Sequence, residues 1–165
     1  MSDGREGADT PGVIAPPPLI ALAALLLGVA ADWLWPMDGL DSILNWPVRI
    51  GLGGALFVGG GVLVVAGERA FKRVGTNVPP WEPALALATT GIYDHLRNPM
   101  YVGAMLLLAG IAVALASDWL ALLLVPTALL LHFGVVRREE RYLEAKFGED
   151  YRRYKASVPR YGWKW

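Results

Sequence analysis

The chain contains no cysteine. Disulfides, thiolate metal sites and cysteine nucleophiles are thereby excluded, and the redox compartment is left open. Histidine is scarce: His95 and His132 are the two present, without the spacing of a His-Glu-x-x-His pair. No metal centre is expected. A Gly-x-Ser-x-Gly elbow is also missing, so hydrolytic chemistry has no motif behind it. Charge is sparse at 18% of residues, and 15 basic side chains balance 15 acidic ones.

What fills the chain instead is apolar. Hydrophobic residues make up 55% of it and mean hydropathy is +0.39, beyond an ordinary soluble domain. Residues 18–35, 47–67, 100–116 and 119–136 each read as a membrane-crossing helix, which takes roughly 17–25 mostly apolar residues. Asp32 lies near the end of the first stretch. Arg49 lies near the start of the second, where a long side chain can snorkel. Asp118 and Trp119 read as a tight interfacial turn between the last two. Residues 1–17, rich in Gly, Pro and Asp, predict a disordered tail, and residues 18–165 one membrane-embedded domain. The tail does not have the pattern of a signal peptide.

Basic residues set the orientation. Arg69, Lys72, Arg73 and Arg97 fall between the second and third stretches, and nine more follow the fourth. The positive-inside rule puts both regions in the cytoplasm. Four crossings place the N-terminus there too, so span count and charge bias agree. The Ala-, Gly-, Leu- and Arg-rich composition suits a bacterial inner membrane.

Several segments depart from plain spans. Six glycines between Gly51 and Gly61 let helix backbones approach closely in lipid. Residues 76–83, with three prolines, cannot form a regular helix. Leu85, Ala86, Leu87 and Ala88 follow, in an apolar strip too short to span, expected to be interfacial or re-entrant. After the fourth stretch the helix is expected to continue through Phe147 and end at Gly148. Tyr142, Leu143, Phe147, Tyr151 and Tyr154 give that segment an apolar stripe among basic residues. Such a helix suits lipid headgroups or the cytoplasmic loop, and its basic character follows from topology rather than from nucleic-acid binding. The expected class is all-α: four transmembrane helices, an interfacial or re-entrant loop and a C-terminal amphipathic helix.

Chemistry concentrates at two places. Asn98-Pro99 is a good helix start, Asn as cap and Pro at the first helical position. The free amides of that turn make an anion site, with Arg97 and Tyr101 beside it. Glu139 and Glu140 stand where the fourth stretch leaves the bilayer, with Arg137 and Arg138 before them. Glu140 is spaced to pair with Arg137. His132 is an ionisable group in an apolar run, seven residues before Glu139 and so on the same helical face.

With those residues in view, residues 76–165 resemble the superfamily of isoprenylcysteine carboxyl methyltransferases and phospholipid methyltransferases. The matching strings are Thr89-Thr90-Gly91-Ile92-Tyr93, Arg97-Asn98-Pro99-Met100-Tyr101-Val102-Gly103, Glu139-Glu140 and Phe147-Gly148-Glu149-Asp150-Tyr151. The resemblance implies S-adenosylmethionine-dependent methyl transfer to a lipid or lipid-modified acceptor at the cytoplasmic membrane face. It implies cofactor contacts from Leu85, Ala86, Leu87, Ala88, Tyr93, Asn98, Pro99, Met100, Tyr101 and Glu139. Arg97, His132, Arg137, Arg138 and Glu140 are the candidates for substrate contact or proton transfer. Two positions depart from the pattern. Asn98 stands where the family has His and cannot titrate. Val135 stands where the prenylcysteine enzymes carry a carboxylate-binding Arg. Sterol and steroid reductases, which bind NADPH, share a similar Arg-x-Pro-x-Tyr and Glu pattern. A non-catalytic membrane adaptor on the same scaffold is a third reading.

Overall fold

The structure is a computed structural model that describes residues 9–162. Its described residues form helices and connecting segments, with no strand among them. In order, these are α1 (Pro17–Leu34), a short α2 (Gly39–Ile43), α3 (Trp46–Val74), α4 (Pro99–Leu115), α5 (Asp118–Leu131) and α6 (Arg137–Ser157). A single 3-10 turn, Gly91–Asp94, precedes α4, and a π-turn, His132–Val136, joins α5 to α6 without a break.

Three helices are long and apolar enough to cross a membrane: α1, α3 and the continuous run from α5 into α6. Helix α4 is apolar but only 17 residues long. At 1.5 Å per residue it reaches about 26 Å, just short of a typical ~30 Å hydrocarbon core. Pro99 fixes its start, and Ala116 in the left-handed region (φ 53°) ends it. Ser117 then caps α5 by accepting from the Leu120 amide, so the expected turn at Asp118 and Trp119 lies there.

Helices α3 and α4 make the tightest pair, and glycine is the reason. Gly60 faces the Gly103 carbonyl so closely that an added Cβ would lie 2.6 Å from that oxygen, and Gly103 faces the Gly60 carbonyl equally closely. One heptad away, Gly53 and Gly110 repeat the arrangement at 2.7 Å. Side chains absent from the seam let dispersion contacts form between the backbones, which is what drives association in lipid. Gly51, Gly54, Gly59 and Gly61 lie on the open side of α3 and meet nothing. Helix α1 packs on α5 and α4 around Ala24, Leu108, Ala112 and Leu120.

The membrane face bearing α2 is polar and cross-linked. Asp118 accepts from the Gly39 and Leu40 amides at 2.7 and 2.9 Å. Asp32 accepts from the Ser117 hydroxyl, and Asp41 pairs with Arg49. Exposed Trp33, Trp35 and Trp46 cluster at the same end, as aromatic side chains do at headgroup level.

Helix α3 runs seven residues past the expected end at Gly67, carrying Glu68, Arg69, Lys72 and Arg73 clear of its apolar part before Gly75 (φ 69°) stops it. Its last turns meet α6 in a second cluster of Ala70, Ala88, Tyr93, Tyr151, Tyr154 and Val158. The aromatic stripe of α6 is therefore packed against the end of α3 and the segment before α4. Gly148 (φ 55°, ψ −121°) kinks α6 where the helix was expected to end, and a further helical segment follows. The expected disordered tail is described only from residue 9. Residues 9–14 lie against the π-turn and α6: the Ile14 amide donates to the Gly134 carbonyl at 3.2 Å, and Arg138 Nη1 donates to the Gly12 carbonyl.

Candidate functional site

The two chemical clusters of the sequence meet. A cleft of about 820 Å3, counting its solvent-open mouth, lies between the tip of α4, the start of α6 and residues 76–88. Of the predicted residues, Ala86, Leu87, Ala88, Tyr93, Arg97, Asn98, Met100, Tyr101, Glu139 and Glu140 all line it. Pro99 is buried at its base. Leu85 turns outward, 64% exposed.

The two neighbouring glutamates behave differently. Tyr101 Oη donates to Glu139 Oε1 at 2.6 Å, tying the first turn of α4 to the first turn of α6. Glu140 is clamped instead. Arg160 donates to both its oxygens, Nε to Oε1 at 2.8 Å and Nη2 to Oε2 at 2.6 Å, and Arg97 Nη1 stands 2.9 Å from Oε1. This replaces the expected pairing of Glu140 with Arg137: buried Glu140 faces the bundle, whereas Arg137 is exposed and stacks its guanidinium 5.6 Å over Phe133. The hydrogen bonds from Glu140 push the Arg160 guanidinium above its ordinary value.

The tip of α4 is held from behind by the C-terminal segment. The Arg97 amide donates to the Pro159 carbonyl at 3.0 Å. Asn98 Nδ2 donates to the Arg160 carbonyl at 3.3 Å, so its side chain does not cap the helix as expected. Pro99 lacks an amide hydrogen, and the amides of Met100 and Tyr101 have no acceptor one turn back within the helix. Arg97 Nε is buried and unpartnered. Donors thus accumulate where the cleft meets α4, a chemistry fit for a carboxylate or other anionic group.

Residues 76–88 form the opposite wall and hold themselves in shape. Thr76 Oγ1 accepts from the Leu85 and Ala86 amides, and Asn77 Nδ2 donates to the Pro83 carbonyl. Tyr93 stacks on Phe71 with ring centroids 5.2 Å apart, and its carbonyl accepts from Tyr154 Oη. Burial, and then the neighbouring Tyr154 and Glu139, push the Tyr93 phenol well above its ordinary range, so it stays protonated.

Besides Leu85 and Pro99, three predicted residues do not line the cleft. His132 Nδ1 is 2.8 Å from Tyr161 Oη. Arg138 donates to the Gly12 carbonyl at 2.8 Å, and Arg137 faces outward. Glu139 lines the cleft and His132 does not, and a π-turn, which widens one turn by a residue, stands between them. Sequence reasoning missed Arg160 altogether, since a basic residue after proline in a tail gives no local sign of reaching back twenty positions.

Comparison with known proteins agrees with this geometry. The phospholipid methyltransferase family matches residues 48–150, spanning α3 to the middle of α6. The chain belongs to the phospholipid methyltransferase family. An uncharacterized protein of Haemophilus influenzae is 38% identical over 64 residues, covering 38% of this chain and 98% of that protein. No solved structure matches. Family membership, with three helices apolar enough to cross a bilayer, makes this phospholipid methyltransferase relative a membrane protein of the methyl-transfer class.

Proposed function

We propose that the protein transfers a methyl group from S-adenosylmethionine to a lipophilic acceptor at the cytoplasmic membrane face. The observation that carries this reading is the single cleft joining the α4 tip, with its free amides and Arg97 Nε, to the Tyr101–Glu139 pair. A sulfonium cofactor supplies an activated methyl group and a leaving thioether. The chain's own part is to bind and align. Arg97 and the first-turn amides suit an amino-acid carboxylate, Glu139 suits a ribose hydroxyl or an amine, and Ala86, Leu87 and Ala88 suit an adenine face. Alignment of two reactants supplies much of the acceleration in such a displacement.

The charge inventory favours an amine acceptor over a prenylcysteine carboxylate. Val135 is fully buried where the prenylcysteine enzymes carry Arg. Arg137 and Arg138 lie outside the cleft, Arg160 is engaged by Glu140, and the free Nε of Arg97 is assigned to the cofactor carboxylate. An ammonium acceptor must first lose a proton. Glu140 has both oxygens filled and His132 sits against Tyr161, so that proton falls to Glu139 or to water at the mouth.

In this reading α4 crosses the bilayer as a fourth, short span, residues 76–90 form an interfacial loop, and both termini are cytoplasmic. The test is a labelled methyl-transfer assay with total lipid extract, alongside melting in detergent with S-adenosylhomocysteine or NADPH. Stabilisation by the homocysteine product and label in an amine lipid are expected. Stabilisation by NADPH alone would overturn the reading in favour of a reductase, and response to neither ligand in favour of an adaptor.

A further inference from the structure

The family match begins at residue 48, yet one wall of the cleft comes from before it. Pro11 lines the cleft, at the middle of a short strap running from Asp9 to Ile14. The strap is fastened along its length. Ile14 is bonded to Gly134 through the backbone, and its side chain occupies the space above that glycine. A Cβ placed on Gly134 would lie 2.2 Å from Ile14 Cδ1. Arg138 holds the Gly12 carbonyl, and Asp9 pairs with Lys146 Nζ at 2.6 Å.

The strap meets the facing loop at one atom. Tyr142 Oη shares its proton between Asp9 Oδ1 at 2.9 Å and the Asp9 carbonyl at 3.2 Å, and accepts from the Ala84 amide at 3.1 Å and from Lys146 Nζ at 3.0 Å. One phenol has one proton to give and two lone pairs to fill, so these partners use its whole capacity. Tyr142 also lines the cleft. Both lips of the cleft, residues 9–14 and residues 76–84, are therefore joined through a hydroxyl that the ligand space also touches.

We propose that residues 9–14 are a cover over the water-facing mouth of the cleft, that Tyr142 is the positioning residue that latches it to the loop, and that this latch sets how long the nucleoside ligand stays bound. The proposal rests on the methyltransferase reading. The fastenings at Asp9 and Tyr142 are exposed and polar, so they exchange readily with water, while the Ile14–Gly134 contact is apolar and anchors the far end. Opening then amounts to releasing residues 9–12 about a fixed base, and it does not disturb the helices.

The experiment measures S-adenosylhomocysteine dissociation from the full-length protein in detergent, wild type against Tyr142→Phe and Lys146→Ala. The phenylalanine keeps the ring and removes the latch. Dissociation faster by about fivefold or more in both variants, with unchanged melting of the ligand-free proteins, is expected. A third variant tests the base. The native chain has no cysteine, and the two Cβ positions of Ile14 and Gly134 are within about 4 Å, a disulfide span. Oxidised Ile14→Cys/Gly134→Cys should cross-link in high yield and release ligand within twofold of its reduced form, because the base stays fixed as the cover opens. Markedly slower release on oxidation would overturn opening about that base, and dissociation within twofold of wild type in both Tyr142→Phe and Lys146→Ala overturns the cover while leaving the enzyme reading intact. Failure of the wild type to bind the ligand at all overturns both.

Discussion

Tyr101 Oη lies 2.6 Å from Glu139 Oε1, and this one bond joins two helix starts 38 residues apart in sequence. It places a phenol and a carboxylate at the mouth of the α4 tip. It also separates Glu139 in role from its neighbour Glu140, which two arginines occupy.

Glu139→Ala is expected to weaken S-adenosylhomocysteine binding at least tenfold. A hydrogen bond to a charged group contributes ~1.5–3 kcal/mol. Tyr101→Phe should cost less, since it leaves the carboxylate in place. Isothermal titration in detergent checks both, and unchanged affinity in the two variants would remove Glu139 from the binding site.

Arg97→Ala is expected to destabilise the fold far more than Arg137→Ala. Arg97 and Glu140 are a buried pair, each side chain 8% exposed. Leaving a buried charge with no partner costs ~3–5 kcal/mol, and the loss here should stay below that because Arg160 still holds both Glu140 oxygens. Arg160→Ala should fall between the two, because Arg160 is partly open to water and Arg97 still faces the carboxylate. Melting curves without ligand give the order, and equal melting of Arg97→Ala and Arg137→Ala would contradict it.

Gly60→Ala or Gly103→Ala should disrupt the bundle where Gly61→Ala does not. The first two place a methyl group 2.6 Å from a facing carbonyl oxygen, which only a backbone shift can relieve, while Gly61 faces open space. Overpacking of this kind costs ~1–3 kcal/mol. Yield of folded protein from membranes is the measurement, and equal yields of all three would contradict the close approach of α3 and α4.

Because the chain carries no native cysteine, single cysteines report sidedness without background. Exposed Ala156→Cys and Arg73→Cys should label from the cytoplasmic side, and Asp38→Cys only from the opposite side. Labelling of Asp38→Cys and Ala156→Cys from one side would overturn the even number of crossings.

The helical class, a turn near Asp118 (it falls at Ala116 and Ser117) and the approach of the α4 and α6 starts were legible because they rest on local signals: apolar length, a proline at a helix start, a charged exit. The seam of Gly53, Gly60, Gly103 and Gly110 was visible as composition in α3, but not which glycines face the partner. What stayed hidden was non-local or broke a period. No propensity announces the π-turn at His132–Val136, which stands between His132 and Glu139. Arg160 reaches Glu140, and Tyr142 reaches both Asp9 and Ala84, across distances that pattern reasoning does not bridge. The aromatic residues on α6 were legible as an apolar stripe, but what they pack against needed coordinates.

The carbonyls of Pro159 and Arg160 and the guanidinium of Arg160 support the α4 tip and Glu140 from the far end of the chain. The helix tip and the buried carboxylate thus depend on a segment that joins none of the apolar helices. A chain cut before residue 159 would keep every long apolar helix while losing the rear brace of the cleft and one of the two cations on Glu140.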